Sequence, residues 1–337
     1  MGRGAKSRAI GIEVNRTSRI NGVISIDKPS GMTSHDVVDR IRRAAGTRRV
    51  GHAGTLDPMA EGLLVVCIGA GTRLAQFLTG LPKVYAGTIR FAAISSTYDA
   101  EGKITPQPAP APAIARDVEA AMREQVGLRT QLAPPFSAVK VDGRKLYEYA
   151  RRGEPVPQKP RRVRIESFDL LDYAPPDVRF LARVGSGTYV RSMAHDLGLR
   201  LECGAYLASL RRLAVGDFSV ERAARLDAIE KFPELIEERL MGATEALAHL
   251  PRITVGPEVE RAILHGRGFT TREIEWCEPL PQAGIDSLVL SSRGEAISVA
   301  RGEPEINGGV AVTVEEEAGI RPLVFKSVRV LAKADAG

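Results

Sequence analysis

The most constraining stretch of this sequence is Val50–Thr72, VGHAGTLDPMAEGLLVVCIGAGT, which carries a lone acid, Asp57, in a tight turn. Gly51 and Gly54 precede Asp57, Pro58 follows it directly, and an apolar run extends from Leu63 to Ile68. Glycine admits positive φ or a close backbone approach, and proline fixes φ and removes a donor. A short carboxylate between such residues is held in place while its oxygens stay accessible. The run LLVVCI is short, partly β-branched and closed by Gly69, so it reads as a buried strand. An acid beside a buried strand is a candidate nucleophile or general base. The competing reading is an Asp that only bonds its own turn backbone.

A chain of 337 residues is long enough for one large domain and a smaller one. Hydrophobic residues at 44% and charged residues at 26% fit an ordinary globular protein, and no apolar run approaches a membrane span. The first twenty residues are basic but lack a signal-peptide core, and read as a flexible arm on a cytoplasmic protein. A formal net charge of +6 favours a polyanionic partner, since lysine and arginine displace counterions condensed on phosphates. Cys67, Cys203 and Cys277 are widely spaced, odd in number and without Cys-x-x-Cys or Cys/His spacing, which argues against zinc and against a disulfide framework.

In order along the chain, NGVISIDKP (21–29) reads as a strand running into a Pro/Gly turn. Ser34 reads as the N-cap of a helix with Val37, Val38, Ile41 and Ala45 on one face, ended by Gly46. Its polar side and exit carry Arg40, Arg42, Arg43, Arg48 and Arg49, either a solvated face or a surface for phosphates. Leu74, Phe77 and Leu78 mark a short helix, and KVYAGTIRF (83–91) alternates as a strand. A proline/alanine-rich connection at 105–113 leads into a helix with Ile114, Val118, Ala121 and Met122 inward. Residues 129–160 read as a basic loop with Phe136, Tyr147 and Tyr149 interleaved, suited either to gripping RNA or to anchoring a surface excursion. Strands are predicted at 161–170 and 178–184, then a helix from Arg191 bearing Met193, Leu197 and Leu201, then helical pieces from Ala205 to about Leu247. A cation at a helix start opposes the macrodipole, so Arg191 needs another reason, and a buried carboxylate such as Asp57 would supply one. Beyond Leu250-Pro251 the pattern becomes β-rich, with strands at 252–255, 287–291, 296–300, 310–314 and 321–331 and a helix near Glu258–His265.

A metal site is rejected because the histidines at 35, 52, 195, 249 and 265 show no pairing. A dinucleotide fold is weak, since IGAGT lacks the full glycine fingerprint, and neither G-x-S-x-G nor a Walker motif occurs. One carboxylate, one tyrosine on a neighbouring strand, one arginine at a helix start and much basic loop remain.

The sequence resembles the bacterial tRNA pseudouridine-55 synthases of the TruB type. The likeness spans about Asn21 to Gly216 and rests on IDKPSGMTSHDVV, RVGHAGTLDPMAEGLL, KVYAGTIRF, TYDAEG, APPFSAVKVDGRKLYEYARRGEPV and GSGTYVRSMAHDLG, with Ala208–Leu213 also similar. The resemblance implies an α+β pseudouridine synthase fold: a mixed, largely antiparallel sheet with flanking helices and an RNA cleft. A small PUA-like RNA-binding module would follow at 250–332, with 271–284 as extra loop. The implied layout is an arm at 1–20, a catalytic domain at 21–249, the PUA-like module, and a tail at 333–337. The implied activity is isomerisation of uridine to pseudouridine in the T-loop of tRNA, with no cofactor, no metal and no obligate protein partner. Asp57 matches the catalytic aspartate, Tyr85 the active-site tyrosine and Arg191 the arginine paired with the aspartate. His52 matches a histidine near the displaced nucleotide, Leu210 a residue of the uracil pocket, and Lys28 with Pro29 a motif that supports the site. Arg49, Tyr189 and Lys140, in the same motifs, complete the substrate-binding candidates.

A stacked uracil cannot be attacked, so it must be flipped out at a cost of a few kcal/mol, which cations on the RNA backbone can offset. A guanidinium beside Asp57 would favour its ionised form. The stretch AAISSTYD (92–99) departs from the family's usual Gly and Thr-Asp-Thr pattern, and Phe136 stands where tyrosine is usual. Three rivals remain at this level: an RNA chaperone that refolds tRNA without chemistry, a guide-RNA-dependent dyskerin-type enzyme, and a generic nucleotide-binding enzyme. The long 129–160 stretch favours the stand-alone type over the guided one.

Overall fold

The computed structural model describes residues 20–137, 140–141, 143–152, 154–155, 157, 160–304, 306–307, 310–311 and 323–331. The predicted arm, apart from Ile20, and the tail at 333–337 lie outside them, as does 312–314 of a predicted strand.

The strands of the first part are β1 (Gly22–Lys28), β2 (Val50–His52), β3 (Glu61–Ile68), β4 (Lys83–Phe91), β5 (Ala93–Ser95), β6 (Ile104–Pro106), β7 (Gly127–Leu132), β8 (Lys140–Val141), β9 (Arg144–Lys145), β10 (Pro160–Ala174), β11 (Asp177–Val184), β12 (Ala205–Val215), β13 (Phe218–Ser219) and β14 (Ala224–Arg225). Helices α1 (Ser34–Ala44), α2 (Ala75–Thr79), α3 (Ala115–Glu124), α4 (Leu146–Arg151), α5 (Val190–Arg200), α6 (Leu226–Lys231), α7 (Leu235–Glu238) and α8 (Ala243–Ala246) are set among them. The large sheet runs β14-β1-β3-β12-β4-β11-β10-β7, with β2 beside β3 and β13 beside β12. Only β1–β14 and β3–β12 pair in parallel, so the sheet is mixed and largely antiparallel, as expected.

The unbroken apolar run of β3 has a direct cause: both of its faces are buried. Leu64, Val66 and Ile68 pack with Val37, Val38 and Ile41 of α1. Leu63, Val65 and Cys67 pack with Leu74 and Leu78 and with Leu288, Leu290 and Val299 of the C-terminal part. A third cluster joins Tyr85, Ile89 and Phe91 of β4 to Met193 and Leu197 of α5 and to Val118 and Met122 of α3.

The C-terminal part is a six-stranded sheet of β15 (Arg252–Val255), β16 (Phe269–Thr270), β17 (Ile274–Glu278), β18 (Asp286–Ser291), β19 (Ala296–Pro304) and β22 (Leu323–Val330), ordered β16-β22-β19-β18-β15-β17. Helix α9 (Pro257–Leu264) packs on it, and the short β20 (Ile306–Asn307) and β21 (Val310–Ala311) pair with each other. Its own core gathers Ile253, Val255, Ile263, Phe269, Val289 and Phe325.

Several local expectations are corrected. Residues 205–215 form the strand β12, not helix, between β3 and β4 in the large sheet. Register shifts at Leu207/Ser209 and Arg212/Ala214 break its period of two. They leave Leu207 and Leu210, three residues apart, in one core cluster, so the pattern imitates a helix. The cap of α1 is Thr33 rather than Ser34, because Asp36 at N3 bonds back to the Thr33 N–H and completes a capping box. The 129–160 stretch begins as strand β7 and includes α4, with Leu146 buried. Part of 271–284 is strand β17 paired with β15 rather than loop. Ile114 precedes α3 and is 58% exposed instead of facing the core.

Candidate active site

The Asp57 turn joins β2 to β3, and its backbone is tied down on nearly every side. Ser34 is buried, and its hydroxyl both donates to the Leu56 carbonyl (3.0 Å) and accepts from the Leu56 N–H (2.8 Å). The Arg212 guanidinium, only 1% exposed, donates to the carbonyls of Gly54 (3.0 Å), Thr55 (3.2 Å) and Leu63 (2.7 Å). Lys28 is fully buried and sends its ammonium to the carbonyls of Pro29 (2.9 Å), Met32 (2.8 Å) and Pro58 (3.3 Å). The Gly31 N–H also donates to Pro58, and the Ser30 hydroxyl donates to Met59. A side chain at Gly62 would meet the Arg212 carbonyl at 2.4 Å, so β12 can lie against this turn only because glycine stands there.

Asp57 emerges from this frame with its side chain one-third exposed. Its carboxylate meets Arg191, which α5 presents from its first turn. The Arg191 Nη2 donates to Oδ1 of Asp57 at 3.1 Å, and Nε lies 2.9 Å from Oδ2 as an ion pair outside hydrogen-bond alignment. The same guanidinium reaches Asp99 (Nη1–Oδ2, 3.3 Å) and the carbonyls of Thr97 and Phe136, both at 3.1 Å. This explains a cation at a helix start: two carboxylates and two carbonyls outweigh the unfavourable dipole. Asp99 is 2% exposed and was missed as a site residue, because only the fold brings it to Arg191.

A cavity of about 490 Å³ opens over Asp57 and is lined by Tyr85, Lys83, Tyr189, Leu210 and Arg212 among others. Tyr85 projects from β4 and Leu210 from β12, both nearly buried. Tyr189 caps α5 and is locked by Gln131, which donates to its carbonyl (3.0 Å) and accepts from its N–H (2.8 Å). Lys83, also absent from the predicted set, is 6% exposed and donates to the carbonyls of Thr79 and Leu81. Burial, and next the nearby Arg212, push its ammonium down to about 8. The lining thus carries Lys83, Arg161, Arg191 and Arg212 against a single acid, Asp57.

Of the predicted set, Asp57, Tyr85, Arg191, Leu210 and Tyr189 come together on this cavity. Lys28 supports the turn from behind and has no exposed surface, and burial lowers its ammonium to about 8. His52, on β2, is half-buried outside the lining, and burial lowers its imidazole below the ordinary value. Arg49 is exposed and donates to the Thr72 hydroxyl (3.1 Å). Lys140 belongs by its backbone to β8, and its side chain lies outside the described residues. Arg212 lies in the family-like Ala208–Leu213 segment but was not singled out as a site residue, because the carbonyls that satisfy its guanidinium have no side-chain signature. Among the described residues, no group of three or more His, Cys, Asp or Glu could hold a metal ion.

The description "TruB family pseudouridylate synthase (N terminal domain)" matches residues 42–190, and "tRNA pseudouridylate synthase B C-terminal domain" matches 191–258. A tRNA pseudouridine synthase B of Syntrophotalea carbinolica is 44% identical over 248 residues, 73% of this chain and 81% of that one. The chain belongs to the TruB family of pseudouridylate synthases. The protein of the same name from Opitutus terrae is 46% identical over 228 residues, covering 67% of this chain and 95% of its own. The one from Thermobifida fusca is 46% identical over 255 residues, covering 73% and 85%. Among solved structures, a chain in the crystal structure of the archaeal box H/ACA sRNP Nop10-Cbf5 complex superposes with a TM-score of 0.71. At 24% identity, with 94% of this chain and 88% of that one covered, it shows the shared fold. The two TruB matches meet at Val190/Arg191, at the start of α5, whereas the two large sheets divide near 250.

Proposed function

We propose that this chain isomerises uridine 55 in the T-loop of tRNA to pseudouridine, with Asp57 as the nucleophile. The relatives named tRNA pseudouridine synthase B supply the reaction and the substrate class. The observation that carries the residue assignment is one carboxylate, fixed by its backbone and paired with Arg191, at the wall of a cavity that also holds Tyr85 and Leu210. In the net reaction the N1–C1′ bond breaks and uracil turns in place. A C5–C1′ bond then forms as C5 loses a proton and N1 gains one.

In this reading Arg191 holds the Asp57 carboxylate aimed, Tyr85 packs on the flipped base, and Leu210 with Tyr189 bounds the base pocket. His52 and Arg49 serve the RNA outside that pocket. Lys28 acts as a strut for the turn rather than as an RNA contact, consistent with its three carbonyl partners. The excess of cations around Asp57 suits the phosphates of a flipped nucleotide. Lys140, within the 129–160 stretch, contributes to gripping the T-arm. The arm is 1–20, the catalytic domain 21–249, the PUA-like RNA-binding module 250–332 and the tail 333–337, and the protein works in the cytoplasm. No helix among the described residues is long and apolar enough to cross a membrane.

The test is nucleotide-resolved mapping of pseudouridine on an unmodified tRNA transcript, with wild type beside Asp57→Asn. A single T-loop product from wild type, none from the variant, and equal tRNA binding by both is the expected result. Product at another nucleotide would overturn the substrate assignment, and product from Asp57→Asn would overturn the nucleophile.

A further inference from the structure

Arg191 is gripped from one side by a single short turn, the loop between β5 and β6. Thr97 offers its carbonyl (3.1 Å) and Asp99 its carboxylate (3.3 Å), and between them stands Tyr98. Tyr98 has φ +65°, a left-handed conformation costing a non-glycine residue about 1–2 kcal/mol. Its backbone is committed: the N–H donates to Ser95 (3.1 Å) and the carbonyl accepts from Leu207 of β12 (3.0 Å). These bonds fix the direction of its side chain. The ring lies flat on the imidazole of His195, with centroids 3.8 Å apart and planes 6° from parallel.

His195 is four residues beyond Arg191 on α5, so the two side chains leave the same helix face one turn apart. The turn is therefore fastened to the helix at two levels: through Thr97 and Asp99 to Arg191, and through Tyr98 to His195. Helix α5 is held to the body by Met193 and Leu197 in the core and by Gln131 at Tyr189, so the two fastenings govern how the turn seats on the helix. The stack adds a contact that opposes rotation of the turn about the guanidinium. Burial lowers the His195 imidazole below its ordinary value and so favours the neutral ring in the stack.

We propose that the Tyr98–His195 stack is a positioning pair that sets the angle at which Arg191 meets Asp57. This rests on the reading of Asp57 as the nucleophile. Neither ring lines the cavity. The pair acts through Arg191.

The experiment measures single-turnover pseudouridine formation at saturating enzyme, and T-arm Kd separately, for wild type, Tyr98→Phe, Tyr98→Asn, His195→Ala and the double variant Tyr98→Asn/His195→Ala. Asparagine tolerates the left-handed backbone, so Tyr98→Asn removes the stack without adding strain. The expected result is a rate about three- to tenfold lower for Tyr98→Asn and for His195→Ala, the range of a lost aromatic contact, with Kd unchanged. Tyr98→Phe keeps the wild-type rate, and the double variant is no slower than the slower single one. A Tyr98→Asn rate equal to wild type, a loss in Kd instead of rate, a Tyr98→Phe loss matching Tyr98→Asn, or multiplicative losses in the double variant would each overturn the proposal. Should Tyr98→Asn not fold, the rate and Kd of His195→Ala decide the matter alone. Absence of product from wild type would instead defeat the assignment of function on which the proposal rests.

Discussion

Arg191 holds two carboxylates in unlike surroundings: Asp57, one-third exposed, and Asp99, 2% exposed. The asymmetry separates stability from chemistry. Removing the guanidinium leaves Asp99 as a buried charge with its cation gone, which typically costs about 3–5 kcal/mol. Asp57 can recover water. Arg191→Met is therefore expected to lower stability by that order and to abolish product, whereas Asp57→Asn abolishes product at a cost of about 1 kcal/mol or less. Urea unfolding of the two variants beside a product assay checks this. Equal destabilisation by both would show that Asp99 does not depend on Arg191.

The frame behind Asp57 gives a second expectation. Arg212 serves three carbonyls of the 54–63 segment and, among the described residues, faces no carboxylate partner. Losing it strands buried acceptors at about 1–3 kcal/mol each, reduced where the turn relaxes. Arg212→Met is expected to cost about 3 kcal/mol or more and to slow product formation by tenfold or more as the turn loosens. Arg212→Lys, with one ammonium for three carbonyls, should fall between. Denaturant midpoints and single-turnover rates measured together test the link, and a destabilised variant with an unchanged rate would break it.

How much of this was legible in the sequence follows from the same residues. Asp57 stood out because Gly54, Pro58 and the apolar run are local signals, and local signals survive in one dimension. Arg191 was legible through a misfit, a cation at the positive end of a helix, which called for a buried carboxylate. Arg212 was not, because its partners are carbonyls, and carbonyls occur at every position. The strand β12 was misread for a geometric reason: two register shifts turn an alternating pattern into spacings of three. Asp99 depends on a left-handed turn and a contact 92 residues along the chain, neither of which has a sequence period. Ser34 reads as the cap because serine is the stronger N-cap type, but the fold puts Thr33 on the helix and Ser34 on the Asp57 turn.

That double use of adjacent hydroxyls gives a third expectation. Thr33→Ala should remove only the cap, at about 1 kcal/mol. Ser34→Ala leaves the buried N–H and C=O of Leu56 without partners, at about 2 kcal/mol, next to the nucleophile. Both variants destabilise, but only Ser34→Ala should slow product formation. Parallel rates for the two would show that Ser34 does not act through the turn.

Lys83 supplies a pH dependence whose sign can be worked out. Its ammonium is lowered from the ordinary 10.5 to about 8 by burial first and Arg212 second. Between those values the unfolded chain holds a proton that the fold has released, so stability rises with pH. Above 10.5 both states are neutral and the penalty for a buried ammonium is absent; as pH falls toward 8 it grows, and below 8 it is fully present. Lys28, also lowered to about 8, adds a slope of the same sign. Each contributes at most about 1.4 kcal/mol per pH unit. Urea midpoints at pH 8, 9 and 10 should therefore rise less steeply in Lys83→Met than in wild type, with the Lys28 share of the slope remaining. A slope unchanged by Lys83→Met would mean that the ammonium stays charged through this window, held by the carbonyls of Thr79 and Leu81.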